Sequence, residues 1–462
     1  MTVSVFAYQA VYRYLIQLIN EPNSGETLRL PSLRQLAERL NVSISTIQYA
    51  YSLLEKEGRV YCVAKSGYYA QSTGQASLPA CEGDLLETIY INARRPGMRV
   101  LSSDEPASIQ PLDSPLLMIE RELLRQYPRV PQTLAQPWGE QALRVALAAR
   151  YTVSPENCWH ADDVYIGADL RGVLEILIAA LGLRRATVVV ESPCDWVILR
   201  LLEHANVRVI ELPVEGNGGF DPQRLESLLK TETVRLVLLS SALSMPHGSL
   251  IPYSNRQIIA HLLVQHGTWV LENDAYGELQ EGLEGHRIRD LLDPERLLVF
   301  STFEKVIGAE APYGFVLAKG LRSELQRHFL LRSFRLSPIR QKAIARLYGG
   351  GRIDQHLQIL RRLLKERRSR LINVLRERLG DALHIVEPQG GSTVWLRSSR
   401  PVNMERVFRD LLRQQVLVAP GDLFSLQGLH ANHVRLSSLG HSDQALAEMV
   451  GLLGDSLRLA SI

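Results

Sequence analysis

The chain reads as a multidomain protein: an N-terminal winged helix-turn-helix, an α/β body, and a smaller α+β domain at the C-terminal end. Three observations predict this. Residues 30–70, LPSLRQLAERLNVSISTIQYAYSLLEKEGRVYCVAKSGYYA, spell two short helices, a tight turn and a two-stranded wing, the outline of a device that sets one helix in the DNA major groove. From about residue 160, β-branched runs alternate with helical stretches, as in a mainly parallel sheet wrapped by helices. Finally, 462 residues exceed what one hydrophobic core organises, and two to four domains are expected.

Composition narrows the class. Apolar residues make up 46% and charged residues 22%, ordinary for a globular chain. No apolar run reaches the eighteen or so residues of a membrane span. The start, MTVSVFAYQAVYRYLIQLIN, has no basic leader and no small-residue cleavage site, which argues against secretion. Cys62, Cys81, Cys158 and Cys194 are scattered, without metal-ligand spacing or disulfide density, so a reduced, cytoplasmic compartment is expected. Net charge is +3, too small to argue for nucleic acid by itself. Residues 1–75 hold seven Lys/Arg and five Asp/Glu, a net of +2. The case for DNA therefore rests on geometry.

In the head, Tyr12, Ile16 and Ile19 recur at helical spacing before Asn20, Pro22 and Gly25 stop the helix. Ser32 is placed to cap the second helix, whose apolar stripe is Leu33, Leu36, Ala37 and Leu40. Asn41-Val42-Ser43 makes the turn, and Ser43 caps the third helix. That helix buries Ile47, Ala50, Tyr51 and Leu54, and Gly58 suits the residue just past its end. Its other face carries Ser45, Thr46, Gln48 and Tyr49, hydrogen-bonding side chains without carboxylates, as base edges and phosphates require. Lys65-Ser66-Gly67 forms the wing tip, and Arg34 sits where a phosphate contact is expected. Isolated polar residues on a helix are usually only solvated, but here the whole series agrees over some sixty residues. The segment resembles the GntR family of bacterial winged-helix regulators, on LPSLRQLAERLNVSISTIQYAYSLLEKEG and the wing KSGYY.

Residues 1–74 are thus assigned to the head and 75–115 to a linker or arm, because QSTGQASLPACEG and SSDEPASIQPLDSP lose hydrophobic periodicity. DLLETIYINARR could form a short helix within it, and an ordered arm lying on the body is the alternative. Residues 116–355 form the large domain, with strands at TVVVE, VRVIEL, RLVLLS, TWVLEN and LLVFST and helices at LRGVLEILIAALG and NRQIIAHLLVQHG. Residues 356–462 form the small domain. It opens with one long amphipathic helix, QHLQILRRLLKERRSRLINVLRERLG, whose Arg-rich face reads as solvated surface rather than a second DNA contact.

Lys305 follows the apolar strand LLVFST. A lysine at the end of a buried strand can be tuned toward the neutral amine that condenses with an aldehyde, or its stem can lie on apolar surface with the ammonium in water. Spacing alone leaves both open. Beyond it, residues 110–455 resemble a fold-type I, class I aminotransferase, and a GntR head on such a body is the architecture of the MocR subfamily of regulators. The resemblance implies a homodimer and pyridoxal 5'-phosphate as cofactor. It implies Lys305 as the Schiff-base lysine, Thr302 at the cofactor phosphate, Trp196 stacked on the pyridine ring, and Tyr276 at the phenolic oxygen. Arg435 would grip the α-carboxylate of a substrate or effector, a task suited to a guanidinium.

Other positions depart from that pattern. Asn273 stands where a carboxylate should face the pyridine nitrogen, which weakens the electron sink. Met245 replaces the asparagine before a proline, Pro312 replaces an arginine phosphate clamp, and Asp169 puts a carboxylate at a helix start that should attract phosphate. Each charge-assisted bond lost costs about 1.5–3 kcal/mol. The reading is a DNA-binding transcription regulator whose body dimerises and senses an effector (pyridoxal phosphate, an amino acid, or an adduct of the two), with transamination weakened or lost. Double-stranded DNA, a small-molecule effector and a second copy are its expected partners. The alternatives are an active aminotransferase with a DNA-binding head, and a body serving only as a dimerisation scaffold.

Overall fold

A computed structural model describes residues 7–20, 29–63, 66–70, 84–126, 136–214, 219–240, 243–282, 287–332, 334–437 and 439–461. The chain divides into two compact units. One comprises Met1–Val100 with Leu411–Leu417, the other Leu101–Asp410 with Val418–Ile462.

The first unit is built around the head. Helices α1 (Ala7–Asn20), α2 (Leu33–Leu40) and α3 (Ile44–Lys56) precede a wing of β1 (Val60–Val63) and β2 (Gly67–Ala70). The two strands pair antiparallel, with Val60 opposite Ala70 and Val63 opposite Gly67. Ser32 caps α2 and forms a reciprocal capping box with Gln35. Ser43 caps α3 by accepting from Thr46 N at 3.2 Å. Asn41 takes the left-handed conformation that ends α2, at φ 50°, and Gly58 does so past α3 at φ 68°, where a side chain would be strained. Leu36, Ile47, Ala50, Tyr51 and Leu54 are fully buried. Each large apolar side chain there contributes on the order of 1.5–3 kcal/mol. Two details differ from expectation. The deepest residues of α1 are Val11 and Leu15, with Tyr12, Ile16 and Ile19 packed at their margin. Leu40 is 36% exposed, since α2 ends before its stripe completes another turn.

The described part of the segment assigned to the linker, residues 84–115, is not bare chain. Leu85–Ala93 is a helix, and Arg99–Val100 pairs in parallel with Val416–Leu417. Residues 101–115 belong to the second unit. Backbone pairing and short buried stretches such as Pro106 and Ala107 order this segment without hydrophobic periodicity.

The second unit holds a seven-stranded sheet. Its strands are β3 (Val164–Gly167), β4 (Thr187–Ser192), β5 (Arg208–Pro213), β6 (Val234–Ser240), β7 (Trp269–Asn273), β8 (Leu297–Thr302) and β9 (Gly314–Ala318). They lie in the order β3-β9-β8-β7-β6-β4-β5. β9 runs antiparallel to both β3 and β8, and the remaining pairings of the sheet are parallel. Both faces are covered. Val189, Val237, Val299 and Leu317 point into one apolar cluster, and Val188, Leu236, Leu298 and Val316 into the other. Burial on both sides is why these strands read as continuous apolar runs.

A four-stranded antiparallel sheet follows: β10 (Leu383–Val386), β11 (Thr393–Ser398), β12 (Ala419–Pro420) and β13 (His433–Ser437), in the order β10-β11-β13-β12. The long helix runs Arg352–Leu379, so the expected boundary at 356 falls inside it. Its Arg-rich face is not wholly solvated. Arg368 is buried, ion-paired to Glu281 and donating to Gly391 O at 3.0 Å.

Candidate functional site

Two sets of residues carry the chemistry, one in each unit. In the head, Arg34, Ser45, Gln48 and Tyr49 are exposed, and Thr46 is half-buried. Ser43 bonds both Ser45 Oγ, at 2.8 Å, and Thr46 Oγ1, at 2.7 Å. The cap therefore also orients the two hydroxyls that open the polar side of α3. Tyr49 meets Tyr8 edge-to-face at 5.0 Å, which fixes its ring. At the wing, Ser66 and Gly67 are half-buried, while Lys65 lies outside the described residues. Arg29 was missed from sequence. Its guanidinium donates to Ser66 O at 2.6 Å, and its backbone bridges to Tyr69. The extended chain before Pro31 thus brings an exposed cation to the wing tip, a placement that only strand pairing reveals.

In the second unit, side chains gather at the carboxyl ends of the parallel strands, where open α/β sheets bind ligands. Lys305 follows β8, Tyr276 follows β7, and Trp196 begins a helix (Trp196–His204) just after β4. Arg435 comes from β13, and Ser392 immediately precedes β11. They converge on a residue that sequence reading had placed in the linker, Asp104. Tyr276 donates its hydroxyl to Asp104 Oδ2. Lys305 Nζ lies 3.4 Å from the same oxygen and donates to the Asp104 carbonyl at 2.5 Å. Arg435 Nη1 is 3.5 Å from Oδ2, and Ser392 Oγ donates to Oδ1 at 3.3 Å.

Burial pushes the Asp104 carboxyl up, but the Lys305 and Arg435 charges and the Tyr276 hydrogen bond outweigh it and hold its pKa below the ordinary value. Burial first, and then the Asp104 charge, raise Tyr276 well above a usual phenol, so it stays a donor. Asp195, which caps the helix starting at Trp196 by accepting from Val197 N at 2.8 Å, is pushed up by burial and by Asp104. Arg435 is buried between Trp196 and Phe424, its guanidinium carbon 4.6 and 5.1 Å from their ring centroids, a cation–π arrangement.

The pocket fits one end of pyridoxal phosphate and not the others. Lys305 could meet a carbonyl group, and Tyr276 is beside it. At the ring-nitrogen end, Asn273 Oδ1 accepts from Ala275 N at 3.1 Å and brings no negative charge. The adjacent carboxylate, Asp274, is already bonded to Arg289 at 2.7 Å and Tyr151 at 2.6 Å. At the phosphate end, Asp169 Oδ1 accepts from Gly172 N at 2.7 Å, so a carboxylate caps the helix Leu170–Ala180 whose N-terminus would attract a dianion. Thr302 Oγ1 lies 3.2 Å from Tyr313 O and 3.3 Å from Glu304 N. Pro312 is exposed and has no cation to offer, and Met245 offers no amide. Trp196 has the Arg435 guanidinium against its ring.

Two family models match the chain. Residues 132–453 match the family "Aminotransferase class I and II". The chain belongs to that family. Residues 7–69 match "Bacterial regulatory proteins, gntR family", and the two in this order make the MocR type of regulator. The HTH-type transcriptional regulator YjiR of Escherichia coli (strain K12) is 26% identical over 464 residues, covering 97% of this chain and 98% of that protein. A second E. coli regulator, YdcR, is 29% identical over 86% of this chain and 87% of its own. Among solved structures, LysN, the α-aminoadipate aminotransferase of Thermus thermophilus, complexed with N-(5'-phosphopyridoxyl)-L-leucine, superposes with a TM-score of 0.71. It is 21% identical, covering 82% of this chain and 95% of LysN, and shows the fold. No helix among the described residues is long and apolar enough to cross a membrane.

Proposed function

We propose that this chain is a transcription regulator that binds duplex DNA through its winged head and senses a small carboxylate, most simply an amino acid, in its aminotransferase-like pocket. One observation carries the reading. Lys305, Tyr276, Ser392 and Arg435 converge on a carboxylate, while Asn273, Asp169 and Pro312 withhold the partners that a ring nitrogen and a phosphate need. Carboxylate recognition is retained and the electron-sink chemistry is not. The relatives named as regulators over nearly the full chain support the same assignment. The body acts as the dimerisation and sensing module, and the cytoplasm, where duplex DNA is reached, is the place of action. A dimer presents two heads to two half-sites, which raises avidity without any new contact.

Ligand binding moves the heads only through a difference in affinity between two arrangements. The test is DNA binding by the intact protein to the upstream region of its own or a neighbouring gene, with and without each of the common amino acids. A response to one of them that Arg435→Gln abolishes supports the reading. DNA binding indifferent to every amino acid sinks the sensing half, and no preference over bulk duplex sinks the whole.

The second reading, a working aminotransferase with a DNA-binding head, is favoured by Lys305 and Tyr276 standing together. It requires turnover of an amino donor with a keto acid at ordinary enzyme rates. It also requires the visible absorbance of lysine-bound pyridoxal phosphate, lost in Lys305→Ala.

A further inference from the structure

We propose that Asp104 is a tethered ligand of this pocket, seated where the effector's carboxylate binds, and that the effector enters by displacing it. This inference rests on the carboxylate-sensing reading above and adds how that site is regulated.

The geometry is that of a bound ligand more than of a surface ion pair. Four side chains from separate places in the chain meet one carboxylate, through contacts that include 3.3 Å from Ser392, 3.4 Å from Lys305 and 3.5 Å from Arg435. The Asp104 side chain is 13% exposed and Arg435 is 2% exposed. The main chain around it is held by the same groups. Lys305 donates to the Asp104 carbonyl, and Arg435 Nη2 donates to Ser102 O at 2.7 Å. Ser437 N, on the strand that carries Arg435, donates to Leu101 O at 2.7 Å. A ligand that takes Arg435 and Lys305 therefore removes two anchors of the 101–104 backbone as well as the side-chain contacts.

The seated carboxylate leaves capacity unused. Arg435 Nε, Thr393 Oγ1 and Ser437 Oγ are buried and have no hydrogen-bond partner among the described residues. Thr393 stands directly opposite Ser437 in the β11–β13 register. Buried donors and acceptors without partners are costly, so a ligand with more polar atoms than one aspartate side chain competes favourably.

Displacement also has a direction along the chain. Asp104 lies just after Val100, where the first and longer stretch of the unit containing the head ends. Freeing residues 101–104 acts on the segment that leads back to that head. The arithmetic is that of a fractionally available site: if Asp104 is seated nine-tenths of the time, the apparent affinity of the effector falls about tenfold.

The experiment reads Lys305 directly, in the full-length protein, so no effector need be known. Reductive methylation with formaldehyde and cyanoborohydride is followed by mass spectrometry, with the exposed Lys230 as internal reference. In Asp104→Ala, Lys305 should react about tenfold faster relative to Lys230 than in the wild type. Acetate, standing in for the deleted carboxylate, should restore protection where chloride at equal ionic strength does not. In the wild type acetate should change little. Asp104→Asn, close in shape, guards against misfolding of the alanine variant and should give the same exposure. Equal labelling of Lys305 in wild type and both variants overturns the tethered-ligand proposal and leaves the sensing reading standing. Lys305 released in the variants but unprotected by acetate overturns the carboxylate site itself, and the proposal with it. Acetate protection that survives Arg435→Gln in the Asp104→Ala background excludes Arg435 from the subsite and overturns both.

Discussion

The head and the pocket handle their polar groups in opposite ways. On α2, on α3 and beside the wing, Arg34, Ser45, Gln48, Tyr49 and Arg29 are exposed, and the bonds that Ser45 and Arg29 make to Ser43 and Ser66 orient them more than they cover them. In the pocket, Lys305 and Arg435 turn inward and meet a carboxylate and carbonyls of the same chain. The head is built to add a partner, whereas the body must exchange one. Losing a polar side chain in the head should therefore weaken DNA binding while leaving the fold intact. Losing one in the body leaves its partner buried and unmatched, and the fold should suffer.

The strongest way to break that contrast is at a buried charge of the body. Arg289 is buried, 3.0 Å from Glu272 and 2.7 Å from Asp274, whose side chains are 0% and 4% exposed. Arg289→Met should destabilise the body by about 3–5 kcal/mol in denaturant unfolding. A loss below about 1 kcal/mol would mean that the two carboxylates simply take up protons.

Acid is the next lever. Burial lowers His247 to about 4, His430 to about 3 and His433 to about 4. Each is neutral in the folded body and freer to charge when unfolded. Their contribution is therefore complete above pH 6.5 and is lost as pH falls from there toward the folded values. Glu191, raised by burial to about 7, works the other way, favouring the fold as pH drops through that value. His356, also lowered by burial, sides with the three histidines, and Asp195, Glu278 and Asp422, raised by burial, side with Glu191; the histidines should carry the balance and make the body less stable from pH 6.5 to 4. Residues 1–75 contain no histidine, so the head should not share this slope. Parallel melting of head and body across that range, followed separately, would count against the assignment.

In the head, Gln48→Ala should cost about 1–3 kcal/mol of affinity for the specific site and leave thermal unfolding within experimental error of wild type. A melt that drops with the affinity would make Gln48 a packing residue instead. Ser32→Ala should do the reverse, costing about 1 kcal/mol of head stability through the lost cap. The smallest expected effect is that of Arg34→Ala. It should weaken binding to all sequences alike and lower the salt slope by about one. An unchanged slope removes Arg34 from the phosphate contacts.

Much of the head was legible because its signals are local. Ser32, Ser43 and Gly58 sit at caps whose chemistry spans three or four residues, and Ile47, Ala50, Tyr51 and Leu54 mark one helix face. Five strands of the large sheet were legible as apolar runs, but β3 and β9 were not assigned, and the direction of β9 follows only from pairing with β3 and β8. In the pocket, Lys305, Tyr276 and Arg435 were reached by resemblance, and the structure brings them together. Asp104 was not reached, because SSDEP carries neither periodicity nor a motif and reads like linker. Arg368 looked like one more solvated arginine on a charged helix until its packing against Glu281 was seen.

By itself, the order of residues determined what depends on near neighbours: caps, turns, amphipathic faces, and the polar side of the third helix. Tertiary structure alone decided which carboxylate Lys305 and Arg435 meet, since 201 and 331 positions separate them from Asp104. Contacts between such distant positions are set by how strands stack and where a segment is pinned, and no local pattern in the sequence records them.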